Sequence, residues 1–122
     1  MILVDTSIWV DHLRRSDGRL VRALNAAQVL THPFVIGELA CGNLKQRTTV
    51  LALLHDLPRS SHASDDEVMF YIDQHQLMGR GIGYVDAHLL AAVTLSGAAR
   101  LWTRDKRLNA IADQLGLAHI PG

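Results

Sequence analysis

The chain begins with an apolar run that stops at an acid. Met1-Ile2-Leu3-Val4 gives way at once to Asp5-Thr6-Ser7. An unbroken, partly β-branched stretch of this kind reads as a strand buried on both faces of a parallel sheet. The acid and hydroxyls that follow are helix-capping residues, and Ile8 to Leu13 continue as a helix. A strand that feeds straight into a helix opens a βαβ unit. In such sheets ligands bind at the carboxyl ends of the strands. Asp5 therefore stands at the floor of any site the fold carries, either as a cap or as a charge held for chemistry.

The same alternation runs through the chain. Leu20 to Gln28 has helical spacing, Val29 to His32 reads as a second strand, and Pro33 opens a helix from Phe34 to Cys41 that Gly42-Asn43 stops. Thr48 to Leu57 is a further helix, and Pro58 to Ala63 a loop or weak strand. Ser64 and Glu67 form a capping box that launches a helix to Leu77 or Met78. After the glycine-rich Gly79 to Gly83, a helix spans Val85 to Ser96. Arg100 to Thr103 is a strand, Leu108 to Leu115 a helix stopped by Gly116, and Leu117 to Ile120 a last strand. No repeat or linker interrupts this order, so residues 1–122 are expected to form one α/β domain around a mostly parallel sheet of four to five strands.

Composition narrows the classes. At 122 residues, 48% hydrophobic and 20% charged, the chain has ordinary globular proportions. Cys41 is the single cysteine, which excludes an internal disulfide and makes a reducing cytoplasm the expected setting. No signal peptide is expected, because the first apolar run ends in an acid. The most apolar segment, Tyr84 to Ala99, carries Asp86 and His88 and is too short and polar for a membrane span. Twelve Lys+Arg balance 12 Asp+Glu, which argues against a uniformly basic nucleic-acid coat. The seven histidines contain no i, i+4 pair, so zinc is not expected.

Eight of the 12 acids lie where solvated carboxylates are expected, on polar helix faces, caps and turns. Four do not. Asp5 ends the first strand, and Asp105 directly follows the strand Leu101-Trp102-Thr103. Asp86 opens a helix whose stripe continues with Leu89, Leu90 and Val93. Glu38 stands among Phe34, Val35 and Cys41, in mid-helix, with no cap to make. Asp5, Asp86 and Asp105 each have an ordinary reading as a helix cap or first-turn acid, and Glu38 as part of a thin solvated stripe. Burying four ionised carboxylates without cations is costly. A divalent cation bound by oxygen ligands would offset that cost. Thr6, Ser7 and Thr103 add hydroxyls that could orient those ligands.

The chain resembles the PIN-domain ribonucleases, specifically the VapC-type toxins of toxin–antitoxin pairs. The resemblance rests on Ile2 to Asp11, on Val35-Ile36-Gly37-Glu38-Leu39, on Tyr84 to Ala92, and on Leu101-Trp102-Thr103-Arg104-Asp105-Lys106-Arg107-Leu108. It covers essentially the whole chain. One departure is Leu108, where the family often has an aromatic residue. The resemblance implies a three-layer α/β/α fold and makes Asp5, Glu38, Asp86 and Asp105 the catalytic and metal-binding quartet around Mg²⁺ or Mn²⁺, supported by Thr6, Ser7 and Thr103. It implies cleavage of single-stranded RNA, with the metal rather than a His or Lys base activating water. It also implies a cognate antitoxin and a homodimer.

With the quartet set aside, 12 Lys+Arg face 8 acids. Arg14, Arg80, Arg104 and Lys106 are candidates for a rim that tracks RNA phosphates, whether the RNA is single-stranded or structured. Trp9 and Trp102 lie in apolar segments and are expected in the core. The apolar faces around Phe34, Val35, Leu51 and Leu54 suit either a partner or the domain's own core. Other enzymes that begin with a strand ending in Asp fit poorly. A haloacid-dehalogenase-like phosphatase needs a second acid at the position of Ser7, and a response-regulator receiver needs an acid pair at the first strand. The non-enzyme alternative is a catalytically silent PIN-like module that binds RNA or a partner, and the intact quartet argues against it.

Overall fold

The computed structural model describes all 122 residues. Strand β1 (Ile2–Val4) leads into α1 (Thr6–Arg14) and α2 (Gly18–Asn25), then β2 (Val29–Leu30), α3 (Pro33–Ala40) and α4 (Arg47–Asp56). The second half adds α5 (Asp65–His75), α6 (Tyr84–Leu95), β3 (Arg100–Trp102) and α7 (Lys106–Gln114). All pairings are parallel and the order is β2-β1-β3, with Ile2 opposite Val29 and Arg100, and Val4 opposite Trp102. Successive strand side chains point to opposite faces, and Ile2, Leu3 and Val4 are all buried. Helices therefore cover both faces of β1, as a three-layer α/β/α fold requires.

The sheet is narrower than the four to five strands read from the sequence. Only three strands are continuous. The two expected edge strands are reduced to single bridges, Thr31 with Arg59 and Leu101 with Ala118. On the first edge, Thr31 donates to the Pro58 carbonyl at 2.8 Å and accepts from Ser60 at 2.9 Å. Pro58 has no N–H to carry the ladder further. On the other, Leu101 donates to Leu117 and accepts from His119, and Pro121 beyond them has no N–H to extend the ladder.

The helix starts follow their caps. Helix α1 begins at Thr6 rather than Ile8, because the Asp5 side chain accepts the Thr6 N–H directly. The Ser64–Glu67 capping box is present in both directions, at 2.9 and 3.1 Å. Helix α6 is the central helix, buried continuously from Ala87 to Val93. Trp9 and Trp102 lie in the core. So do Val35 and Leu54, with Leu51 packed at its margin, which assigns much of the apolar face of α3 and α4 to the domain's own interior. No helix is long and apolar enough to cross a membrane.

Candidate metal centre

The site is built where β1 and β3 end side by side. The Asp5 N–H donates to the Trp102 carbonyl at 3.0 Å, which sets the two strand ends level. Asp5 is 7% exposed, and its carboxylate is fully engaged. Oδ1 accepts the Thr6 N–H at 2.7 Å, while Oδ2 accepts the hydroxyls of Thr103 at 2.7 Å and Ser7 at 3.1 Å. Those hydroxyls in turn hold the second strand end. Thr103 Oγ1 accepts the Asp105 N–H and Ser7 Oγ the Arg104 N–H, each at 3.1 Å. Asp105 Oδ1 then caps α7 by accepting from Arg107 and Leu108 at 2.9 and 3.0 Å.

Two more acids come from helices. The Thr6 hydroxyl donates to Glu38 Oε1 at 2.7 Å, tying α3 to the start of α1. Asp86 lies in the first turn of α6, where Oδ2 accepts the Gly83 N–H at 3.0 Å. Four chain segments thus deliver one carboxylate each, three of them placed by the hydroxyls of Thr6, Ser7 and Thr103 and the fourth by the Gly83 N–H. Asp5 and Asp105 are helix caps and members of this cluster at once, so the two readings of those residues do not compete.

Asp86 feels the charge of the other three. Burial holds the Asp86 carboxyl above the ordinary 3.8, and the charges of Asp5, Asp105 and Glu38 push it further; only the Gly83 N–H opposes them. No lysine or arginine pairs with any of the four. The cations go elsewhere, Arg19 to Asp17 and Arg104 to Asp11 and Asp17. Glu38 Oε2, Asp86 Oδ1 and Asp105 Oδ2 receive no hydrogen bond from the protein, leaving one oxygen of each open.

This donor set fits a hard divalent cation, because it consists only of carboxylate and hydroxyl oxygens. The side chains are not closed into a cage, and no three acids or histidines converge on one point. Few of these oxygens could touch one cation at once, so water would complete its shell.

The structure revises several expectations. Glu38 is exposed, as is Gly37 before it, while Val35, Ile36 and Leu39 carry the buried face. Its apolar sequence neighbours point away from it, and Thr6 rather than burial defines its place. Of the candidate rim, Arg14 lines a groove beside Glu38. Arg104 is instead bound to Asp11 and Asp17, and Arg80 donates to Gln114 at 3.0 Å. Lys106 is exposed at the start of α7.

Sequence reasoning missed a second titratable cluster. His32, His62 and His88 gather with Phe34 and Tyr84, ring centroids 4.7–6.5 Å apart in the contacting pairs. They come from a strand end, a loop and a helix, and no spacing pattern links them.

Comparison with known proteins identifies a family and relatives for nearly the whole chain. The PIN domain family model matches residues 2–114. The chain is 52% identical over 118 residues to Ribonuclease VapC32 from two Mycobacterium tuberculosis strains, CDC 1551 / Oshkosh and ATCC 25618 / H37Rv. That match covers 97% of this chain and 95% of the relative. The crystal structure of FitAcB from Neisseria gonorrhoeae has a similar fold, with a TM-score of 0.59 and 20% identity over 93% of this chain and 94% of that one.

Proposed function

Because the chain belongs to the PIN-domain family, in its VapC branch, we propose that it is the toxin of a toxin–antitoxin pair and a metal-dependent endoribonuclease. Its substrate is single-stranded RNA, its cation Mg²⁺ or Mn²⁺, its setting the cytoplasm, and its regulator a cognate antitoxin; the toxin itself is a homodimer. The observation that carries the reading is the quartet of carboxylates without a single protein cation among them. Like charges crowded at a sheet edge are retained for a ligand of opposite charge.

One or two of the open oxygens of Glu38, Asp86 and Asp105 would hold the metal directly, and the remaining acids would reach it through water. Asp5, with both oxygens already accepting, anchors the site and adds its charge. When bound, the cation lowers the pKa of a water, polarises the phosphoryl oxygen and steadies the leaving oxygen. The protein's share is orientation. Thr103 and Ser7 keep Asp5 and Asp105 level, Thr6 fixes Glu38, and the Gly83 N–H fixes Asp86. In the hydrolysis, one P–O bond forms to water and one breaks to a ribose oxygen.

The test is cleavage of an end-labelled, unstructured RNA by the purified chain. Cutting is expected with Mg²⁺ or Mn²⁺ and none with chelator. Asp5→Asn and Asp86→Asn should each slow it at least about 100-fold, since changes one shell further out already cost about 10–100-fold at metal sites. Variants that cut as fast as the parent would sink the assignment.

A further inference from the structure

A groove of about 540 Å³ opens directly beside the quartet, with Glu38 as part of its wall. Its floor is apolar, built from Val10 and Leu13 of α1, Leu39 of α3 and Leu44 of the α3–α4 turn. Its rim is polar and basic, with Arg14 at the last position of α1 and Asn43 and Lys45 in the turn. The volume falls in the range of sites that take small organic ligands, about 300–1,000 Å³.

The wall formed by the turn is fixed by the chain itself. Gly42 donates to the Leu39 carbonyl at 3.1 Å, and Arg47 reaches back to the Ala40 carbonyl. Gln46 adopts a left-handed conformation, φ 52°, which turns the chain sharply into α4. A Cβ at Gly42 would sit 3.4 Å from that same Leu39 oxygen, in ordinary van der Waals contact with the wall.

We propose that this groove is the subsite for the nucleotide next to the scissile phosphate. The base lies on Leu13, Leu39 and Leu44, Asn43 reads its edge, and Arg14 and Lys45 hold its phosphate. The assignment rests on the nuclease reading above and adds where the strand leaves the metal centre. Three features select a nucleotide. An amide with both donors and acceptors matches a base edge, two cations match a phosphate, and Glu38 joins the groove to the acids. A neighbouring groove of about 300 Å³, lined by Trp9, Leu24, Val50 and Leu53 among others, has the apolar floor but no Lys or Arg. It lacks what a phosphate needs.

The experiment uses the full chain with Mg²⁺ and a pool of unstructured RNAs randomised around the cut. Lys45→Ala is expected to raise KM about threefold or more and to reduce the salt slope by about one. Its effect on kcat should stay within about twofold, the signature of lost ground-state binding. Lys45→Arg should restore most of the affinity. Asn43→Ala should flatten base preference at one position adjoining the cut and leave the others unchanged.

If these variants keep the parent's KM, salt slope and base preference, the subsite is wrong, while the nuclease reading still stands on Asp5→Asn and Asp86→Asn. If they keep those values but lose a protein partner, the groove is a peptide site and the proposal is overturned. If the parent itself does not cut RNA, or cuts no faster than Asp86→Asn, the nuclease reading fails and the subsite falls with it.

Discussion

Two clusters of titratable side chains lie within one small domain, and they are built on opposite plans. At the sheet edge, Asp5, Glu38, Asp86 and Asp105 are like charges held by hydroxyls and backbone N–H groups, with no cation among them. Between α3, α5 and α6, His32 and His88 are fully buried beside Phe34 and the exposed His62. The Phe34 N–H donates to His32 Nδ1 at 3.0 Å, which places the His32 proton on Nε2, 3.4 Å from His62 Nδ1. That ring serves as the N-cap of α3. It can do so only while neutral, since a doubly protonated ring has no acceptor. The acid cluster keeps charge that the protein leaves unanswered, whereas the cap that His32 makes requires a neutral ring. One plan suits a ligand and the other suits packing.

The largest expected effect away from the carboxylates themselves is at Thr103, which donates to Asp5 and accepts from Asp105. Thr103→Val keeps the shape and removes both bonds. Cleavage should fall about 10–100-fold, and urea unfolding should show about 1–3 kcal/mol of lost stability from the poorly satisfied Asp5. A variant with the parent's rate would detach the hydroxyls from function.

The two clusters should also respond to pH with opposite signs. Burial, then the charges of His62, His88 and Arg59, lowers the His32 pKa to about 4 from the ordinary 6.5. The unfolded chain therefore takes up a proton in that window that the folded chain refuses. Stability from this residue is present above about 6.5 and is lost as pH falls toward 4. Asp86, with its folded pKa raised, behaves in reverse: the folded chain binds a proton more readily, so its destabilisation is relieved as pH falls toward 3.8. His32→Asn keeps a good cap and should flatten the acid-side loss by about 1–2 kcal/mol relative to the parent in metal-free melts. An unchanged difference between pH 6.5 and 4 would remove His32 from the account.

The smallest effect separates a cap that is only a cap from those that also serve the site. Ser64→Ala removes the bond to the Glu67 N–H and should cost about 1 kcal/mol, read from denaturant melts. The cleavage rate should stay at the parent's value. A large rate loss would mean that α5 steers the metal centre.

Much of this arrangement was legible in the sequence because it is local. The strand Ile2 to Val4 ends at Asp5, Thr103 precedes Asp105 by two, and Ser64 sees Glu67 at three residues; each is a short-range pattern with a fixed geometry. Other features depend on where segments meet. The stripe reading of Glu38 expected an acid buried among apolar neighbours, whereas Glu38 faces solvent and is placed by Thr6, 32 positions away. One edge of the sheet shrank to a single bridge because Pro58 has no N–H to extend the ladder, and the other is held only where Leu101 meets Leu117 and His119. His32, His62 and His88 have no mutual spacing, so only the fold brings them together. The rim of arginines read as one surface; in the fold Arg104 and Arg80 are held by neighbours, and Arg14 stands at a groove whose far wall is Asn43 and Lys45.

If the four carboxylates are unanswered charge kept for a divalent cation, such a cation must stabilise the fold through them. The most direct measurement is the thermal melt of the parent and Asp86→Asn, each with chelator and with saturating Mn²⁺. A ligand that binds only the folded chain at 100 times its Kd stabilises it by about 2.7 kcal/mol, which is a rise of roughly 5–10 °C for a domain of this size. That rise is expected for the parent, with little or none for Asp86→Asn, and the metal-free variant should be at least as stable as the metal-free parent. Equal rises in both proteins, or a metal-free variant that melts several degrees below the parent, would contradict a cation held by the four acids.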